Sequence, residues 1–523
     1  MTTWISPTGF VDSGGTWINE ANAYDTDTNT LSYCPVQRDS WGDFLEVTHA
    51  GVYCDRVKYW ANLSSGDTFL INLDVYYNGA WVDLYSGTLA ALQWVEVELG
   101  GIYEVTSARV SMKYSNGGAI AQQRLHEFYF GAIDTKIARI AFSSDPFDST
   151  PTWSDVSSDL MNFHIRRGRQ WELDKIEAGT ASIKLSNING NYWPNNITGS
   201  YTPNVKPWKR INIQMQYAGI LYDLFTGYIE RWEPDFTLKP IKAPFMVLQC
   251  SDGIKNISQH LLNIPAGFSQ ELSGTRIANV LDDIGWATTS RLLDAGQSQM
   301  QSTGALANVN ALTHLATLSD SEIGILFNAV NGYMVFQDRH ARLKAPYTTS
   351  QATFSDTPSD SGYSDIKLRY EDVRIYNDIR VSRLGGTEQV ATSTTSQDSY
   401  GKRSLRRVSL LLTTDAESLA QAEYLKDRFE TPLMRAVKLG IKPNADPSTL
   451  YPLVLGLDIS ARITIALSQA SLNEDYHIEG IYQDWDILES SGLRTTWMLS
   501  AASIDDYWIV GTSALGSTTK LTW

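Results

Sequence analysis

Strict alternation of apolar and polar residues dominates this chain. In RINIQMQY, Ile211, Ile213, Met215 and Tyr217 alternate with Asn212, Gln214 and Gln216. In QWVEVEL, Val95, Val97 and Leu99 alternate with Glu96 and Glu98. Successive side chains of an extended strand point to opposite faces, so a period of two marks a strand with one buried and one wet face. Such runs are short, are bounded by Gly, Asn and Ser, and recur along most of the 523 residues. A chain of that length exceeds what one hydrophobic core serves, so the expectation is a mainly β, multidomain protein.

Residues 1–131 read as strands and turns throughout. WVDLYSG, QWVEVEL, ARVSMKY and HEFYFG follow one another in the manner of a β-sandwich rather than an α/β domain. A second β-rich region spans 136–250, with KIARIAF, ASIKLSN, RINIQMQY and DLFTGYIERWEP as strands and RINIQMQY expected to be half-buried. After Cys250 the period changes. In SGTRIANVLDDIGW, Ile277, Val280, Leu281 and Ile284 fall at i, i+3, i+4 and i+7; Ser273 or Thr275 is placed to cap this helix and Gly285 to end it. A second helix is expected near 306–319 and a hairpin turning at Asn331–Gly332, so that 251–355 form a small α/β insertion. Strands return over 356–505, with one helix in DAESLAQAEYLKDRFE that presents Leu419, Ala422, Leu425 and Phe429 on one face. GGTEQVATSTTSQDSYG reads as a loop, and 506–523 as a C-terminal tail.

Charge and motif content narrow the chemistry. A net charge of −16, spread along the chain, argues against non-specific nucleic-acid binding, because a phosphate backbone must be met by clustered Lys and Arg. Three cysteines, Cys34, Cys54 and Cys250, are too few for a disulfide framework and include no CxxC pair. Buried free thiols are expected in preference to a Cys34–Cys54 bridge. Neither a secretory signal nor a membrane-spanning helix is expected, since no basic run with an apolar core opens the sequence and no stretch of about 18 apolar residues occurs. Assembly in a cytoplasm follows, and the sequons at Asn62, Asn196 and Asn256 then read as chance. No GxSxG, HExxH, P-loop or GxGxxG is present, and the seven histidines do not pair at metal-ligand spacing, so catalysis is not expected. His314, on the apolar side of its predicted helix, reads as a core residue.

Two stretches have the residues of a site. NAYDTDTNT (22–30) sets Asp25, Asp27 and Asn29 at alternate positions, hard oxygen donors in the manner of a calcium loop. It is not an EF-hand, because Thr30 stands at position six and Val36 at position twelve; an Asx-rich turn before a strand explains it equally well. HIRRGRQWELDK (164–175) gathers Arg166, Arg167 and Arg169 beside Trp171. With no other basic run near them, pairing to an acidic partner subunit suits these arginines better than nucleic acid. Trp17, Trp41 and Trp60 are the candidates for a sugar contact on the sandwich, against the commoner alternative of core positions.

RRGRQWELDKIEAGTASIKLSNINGNYWPNN, then YTPNVKPWKRINIQ and LFTGYIERWEP, resemble the opening β-domain of tail-tip hub or minor tail proteins of long-tailed bacteriophages and related gene transfer agents. The order of motifs carries the resemblance: a Gly-Arg opening, an Ala-Gly-Thr-Ala strand, an Asn-rich turn with an aromatic and Pro, a proline-bracketed approach ending in Pro-Trp, and a Gly-Tyr-Ile strand. SGTRIANVLDDIGW resembles the family's helix after the first barrel. IYNDIRVSRLGG, YGKRSLRRVSLLLTTDAESLAQAEYLKDRF and YHIEGIYQDWDI resemble its second barrel and closing strands. The resemblance covers about residues 136–505 and implies a homotrimer in which each chain contributes two tube-like β-barrels. Six barrels then form a ring that continues a hexameric tail tube. It implies as neighbours the tube or distal tail protein, the tape-measure protein and other tail-tip or fibre proteins, with DNA passing through the channel without sequence-specific binding. The place implied is the virion tail tip, assembled in the bacterial cytoplasm.

The N-terminal region resembles a different family. NAYDTDTNT and its flanking strands are similar to the calcium-loop segment of discoidin-like, galactose-binding-like β-sandwiches. Asp25 and Thr30 match that pattern, while Thr26 stands where the family has Gly. The resemblance implies Ca2+ as the one cofactor to consider, and either binding of a host cell-surface glycan or structural decoration. A receptor- or carbohydrate-binding tail protein is therefore the alternative reading. A cell-wall hydrolase is disfavoured because no nucleophile or metal set is visible.

Overall fold

The computed structural model describes residues 2–175, 177–235, 244–357, 360–489 and 492–502. The expected tail at 506–523 lies outside the described residues. The chain is mainly β and divides into two compact units, Met1–Ile137 with Gln214–Tyr222, and Ala138–Ile213 with Asp223–Trp523.

The smaller unit is an antiparallel β-sandwich of β1 (Thr2–Ile5), β2 (Gly9–Val11), β3 (Ser32–Gln37), β4 (Leu45–Leu63), β5 (Asp67–Tyr77), β6 (Ala80–Thr88), β7 (Trp94–Ser115) and β8 (Ile120–Ile133). The strand order is β1-β8-β4-β7-β5-β6, with β2 added to β4 and β3 to β8. Along β4 the buried residues change parity twice: Leu45 and Val47, then Val52 and Cys54, then Val57, Tyr59, Ala61 and Leu63. Register shifts between Thr48 and Val52 and between Cys54 and Arg56 coincide with the two changes. An extra residue at a bulge turns the following side chains over, so each bulge bends the strand and returns its apolar residues to the core. Cys34, Cys54 and Cys250 are free and buried, as expected.

β9 (Thr135–Ile140), β10 (Ser154–Asp155), β11 (Leu160–Gly168), β12 (Thr180–Ser186), β13 (Arg210–Tyr217), β14 (Ile220–Asp235) and β15 (Phe245–Ser251) belong to a sheet of thirteen strands, most of which lies in the larger unit. Its order is β10-β9-β13-β14-β15-β12-β11, continued by Leu472–Asp486, Arg494–Ala501, Arg435–Ile441 and Asp365–Arg369. The Asn-rich turn after β12 is locked by its own amides: Asn187 Oδ1 accepts from Tyr192 N at 3.1 Å and Asn196 Nδ2 donates to Gly190 O at 2.9 Å. Tyr192 is buried, and its hydroxyl donates to Asp159 at 2.5 Å.

Four local expectations are corrected. β13 is buried on both faces, not one, because Asn212 finds polar partners inside, Asp223 Oδ1 at 2.9 Å and Thr226 Oγ1 at 3.0 Å. The helix Ser273–Asp283 has no side-chain cap; the Ser273 hydroxyl donates instead to buried Glu322 at 2.9 Å. Residues Leu306–Asn310 are strand, and the helix runs over Ala311–Glu322 with Asn310 as its cap. The polar segment after Gly385 contains strand Gln389–Thr392 and helix Thr394–Tyr400, ordered by buried Asn377, whose Nδ2 donates to Ser396 Oγ at 3.0 Å and to Gly401 O at 2.9 Å. Helix Asp415–Phe429 forms as expected, opened by a capping box of Thr414 and Glu417.

β11 and strand Leu472–Asp486 join the two β-rich parts of this unit. Gly168 pairs with Gly480, and the chains approach so closely that a Cβ on Gly168 would stand 2.3 Å from Glu479 O. Gly168 also has a φ of 75°, which only glycine adopts freely. Beside this crossing Glu479 is fully buried and accepts from Arg169 Nε at 2.8 Å, Arg342 Nη1 at 2.6 Å and Ser500 Oγ at 2.5 Å. Burial works to raise its pKa, but the guanidiniums of Arg169 and Arg342 outweigh it and hold the carboxyl well below the usual carboxylate range.

Glu479→Gln keeps the shape of the side chain but leaves two guanidiniums uncompensated. We expect it to destabilise the larger unit by about 3–5 kcal/mol, read as a lower urea midpoint at neutral pH. A depressed folded-state pKa contributes stability above the unfolded value and loses it as pH falls through the folded one. The gap between wild type and variant is therefore full above the ordinary glutamate value of 4.5 and closes at more acid pH.

Candidate functional site

The loop at 25–30 follows a single helical turn, Glu20–Ala23, and is built on its own side chains. Asp25 Oδ1 accepts from Asp27 N at 3.0 Å and its Oδ2 from the Thr30 hydroxyl at 2.7 Å. Asp27 Oδ1 is engaged by Asn29, through N at 2.9 Å and Nδ2 at 2.7 Å. Thr26, standing where a glycine was expected, has a φ of 71°. A β-branched residue is strained there, and such strain collects at functional loops. His126 on β8 ties the loop down, its Nδ1 2.9 Å from Thr28 O and its Nε2 3.0 Å from Asn62 Oδ1.

The residue that sequence reasoning missed is Glu127. It lies on β8 with no exposed surface, and neither carboxylate oxygen makes a hydrogen bond of ordinary geometry. The carboxyl of Asp25 is nonetheless close enough to act on it. Burial first, then hydrogen bonding with Asp25, lifts the Glu127 pKa to about 7. Asp25 moves the other way: burial pushes upward, but the Thr30 hydroxyl, the Asp27 amide and Glu127 together pull it below its ordinary value. Two facing carboxylates, one of them buried and only weakly served by the Tyr129 hydroxyl and the Asp27 amide, form an arrangement that a hard divalent cation relieves. Among the described residues no three His, Cys, Asp or Glu side chains converge as a metal set. A cation at this place would draw on Asp25, Glu127, the Thr30 hydroxyl and main-chain carbonyls, and those donors fit Ca2+.

The three tryptophans have different surroundings. Trp17 is in the core at 4% exposure, with Nε1 donating to Asp43 O at 3.1 Å, so its ring has no face to offer a sugar. Trp41 is 43% exposed. Trp60 meets Trp94 edge to face at 5.5 Å, and Trp94 meets Tyr129 at 5.6 Å. Lys58 stands over the rings of Trp94, Trp4 and Tyr129 at 4.2, 4.3 and 4.9 Å. The register that aligns Trp60 with Trp94 and Lys58 with Tyr129 assembles this cluster, and a register between strands is not visible in either strand alone.

The arginine cluster also resolves into separate roles. Arg167 pairs with Asp458 at 2.6 Å and Arg169 with Glu479 at 2.8 Å, both within the chain. Arg167 and Arg169 thus have acidic partners within the chain, and Glu479 reaches Arg169 because β11 lies beside Leu472–Asp486. Arg166 is exposed on the outer face of β11, its guanidinium 5.0 Å over Tyr482.

No protein-family model matches the chain, and no curated protein matches it in sequence. Solved structures do, among them tail proteins and carbohydrate-binding modules. The chain is similar to a tail protein from Neisseria meningitidis MC58, at 11% identity and a TM-score of 0.48, over 71% of this chain and 98% of that one. It is similar to the prophage MuSo2 43 kDa tail protein from Shewanella oneidensis, at 14% identity and a TM-score of 0.45, over 71% and 97%. About a quarter of the chain is similar to the family 32 carbohydrate-binding module of NanJ from Clostridium perfringens, solved with galactose, at 13% identity and a TM-score of 0.21, over 25% and 99%.

Proposed function

We propose that this chain is a structural, non-catalytic component of a phage or phage-like tail tip, a hub that continues the tail tube and its channel. The observation that carries the reading is the continuous sheet of the larger unit. Strands from 136–250 and from 356–505 enter it in sequence blocks and are welded at β11 and Leu472–Asp486 by a buried ion-pair knot. A body fixed by buried charge suits load and assembly better than a ligand-driven opening. The ordered motifs over 136–505 support the same reading. Within it, 136–250 and 356–505 act as the two tube-like barrels, 251–355 as an insertion between them, and 1–131 as a peripheral sandwich. Three copies form the ring; the tube or distal tail protein, the tape measure and fibre proteins are its neighbours in the virion, and the acidic chain lets DNA pass without sticking.

Light scattering on the full chain is expected to give three times the 58.3 kDa chain mass, alone or after addition of the tail-tube protein. A monomer under both conditions would sink the hub reading.

The alternative, binding of a host glycan through the sandwich, is favoured by the exposed Trp41 and by the Trp60–Trp94 cluster, not by Trp17. On a glycan array the full chain is expected to bind, with Trp94→Ala and Trp41→Ala each reducing the signal at least tenfold; silence of the wild type leaves the sandwich a structural module.

For the cation, we propose that Asp25, Thr30 and Glu127 hold Ca2+ in the sandwich. Added Ca2+ is expected to raise the thermal midpoint of the wild type. Glu127→Gln removes the repulsion between two facing carboxylates, so it is expected to be at least as stable as wild type in chelator and to gain nothing from Ca2+. An equal Ca2+ response in both proteins would place the ion elsewhere.

A further inference from the structure

The larger unit contains a partly open cavity of about 150 Å³ among the end of β11, helices Ala311–Glu322 and Asp415–Phe429, and the turn Ala341–Leu343. Leu173, Ile323 and Leu343 line it with hydrocarbon, Arg169, Arg339, Arg342, Arg407 and Arg428 bring guanidinium groups, and carboxylates stand among them. Three of these arginines meet a carboxylate at short range, and Arg339 donates to Ser298 Oγ at 2.5 Å. Arg169 and Arg342 meet Glu479 at 2.8 and 2.6 Å, and Arg428 meets Glu172 at 2.5 Å.

Arg407 is the exception. Its side chain is 13% exposed, yet the nearest carboxylate oxygen, on half-exposed Asp320, is 3.9 Å away. Its hydrogen bond to the Asp320 carbonyl is long, at 3.4 Å. Burial lowers the guanidinium's pKa; Asp320 works against this and the neighbouring charge of Arg169 adds to it. On the same cavity wall, His340 Nε2 is buried without a hydrogen-bond partner. Arg407 is therefore left without a close counter-charge, while the buried carboxylates of Glu479, Glu172 and Asp338 are already engaged. Burying a cation without a close counter-charge is costly, and a charge-assisted bond to an incoming oxyanion recovers that cost. A cleft that sets charged groups beside apolar side chains is also a common form of a small-ligand site.

We propose that this cavity binds a small organic carboxylate, its charge on Arg407 and its hydrocarbon against Leu173, Ile323 and Leu343. A cavity of this size holds about one benzene ring, which sets the upper size of the apolar body. The site is independent of the tail-tip reading, since it rests on Arg407 and the cavity alone.

The test is titration calorimetry on the full chain in low-chloride buffer, with benzoate as the probe and benzyl alcohol as its uncharged counterpart. Wild type is expected to bind benzoate saturably at one site per chain and to bind benzyl alcohol at least tenfold more weakly. Arg407→Gln is expected to weaken benzoate at least tenfold. Asp320→Asn, which removes the carboxylate that stands 3.9 Å from Arg407 and competes for it, is expected to tighten it several-fold. Loss of folding cannot move the two variants in opposite directions, and ligand-free melting curves confirm that each is folded. Absence of saturable benzoate binding by wild type, equal binding of the alcohol, or an unchanged affinity in Arg407→Gln would overturn the proposal.

Discussion

The carboxylate of Glu479, sealed from water between Arg169 and Arg342, is the contact on which the larger unit depends. Arg169 and Glu479 are 310 positions apart, so no local preference brings them together. The apolar pattern of β11 and Leu472–Asp486 does not suffice either, because strands with a period of two slip register easily. A slip of one residue would turn Arg169 to the other face and strand Glu479 in a low-dielectric interior. That cost makes a single register the stable one. Gly168 and Gly480 are required for the same reason, since any side chain at the crossing would push the carboxylate away from its partners.

What the sequence made legible was local. Period-two runs located the strands, and Leu419, Ala422, Leu425 and Phe429 on one face announced a helix that the structure contains. Three of the four failures share one cause, a polar residue satisfied by a partner outside its own element. Asn212 looked like the wet side of β13 and is hydrogen-bonded inside. Ser273 looked like a cap and serves Glu322. The small-residue stretch after Gly385 looked like a loop, yet Asn377 orders it across some twenty positions. Polarity in a sequence reports that a group needs a partner, not whether the partner is water.

The sites were legible to the same extent. Asp25 and Thr30 could be found because they lie in one loop, and Glu127 could not, because it reaches that loop from another strand. The tryptophans could be named but not sorted, since core and surface differ only in what the sheet places over each ring. The arginines were rightly singled out as unusual, and their partners were sought in another subunit when the chain itself supplied them.

Three buried charges then differ in one respect, the quality of their compensation. Glu479 has two guanidiniums and a hydroxyl at bonding distance, and its pKa falls. Glu127 has no donor of ordinary geometry, and its pKa climbs. Arg407 has a carboxylate at the limit of contact and a like charge nearby, and its pKa falls. A charge fully matched inside the fold holds structure together and has nothing left to offer a ligand. A charge that folding has buried but not matched costs stability in every copy of the protein. Only a group bound from outside, a cation for Glu127 and an anion for Arg407, recovers that cost, which is why these two positions, and not the stronger ion pairs, are the places where binding is to be sought.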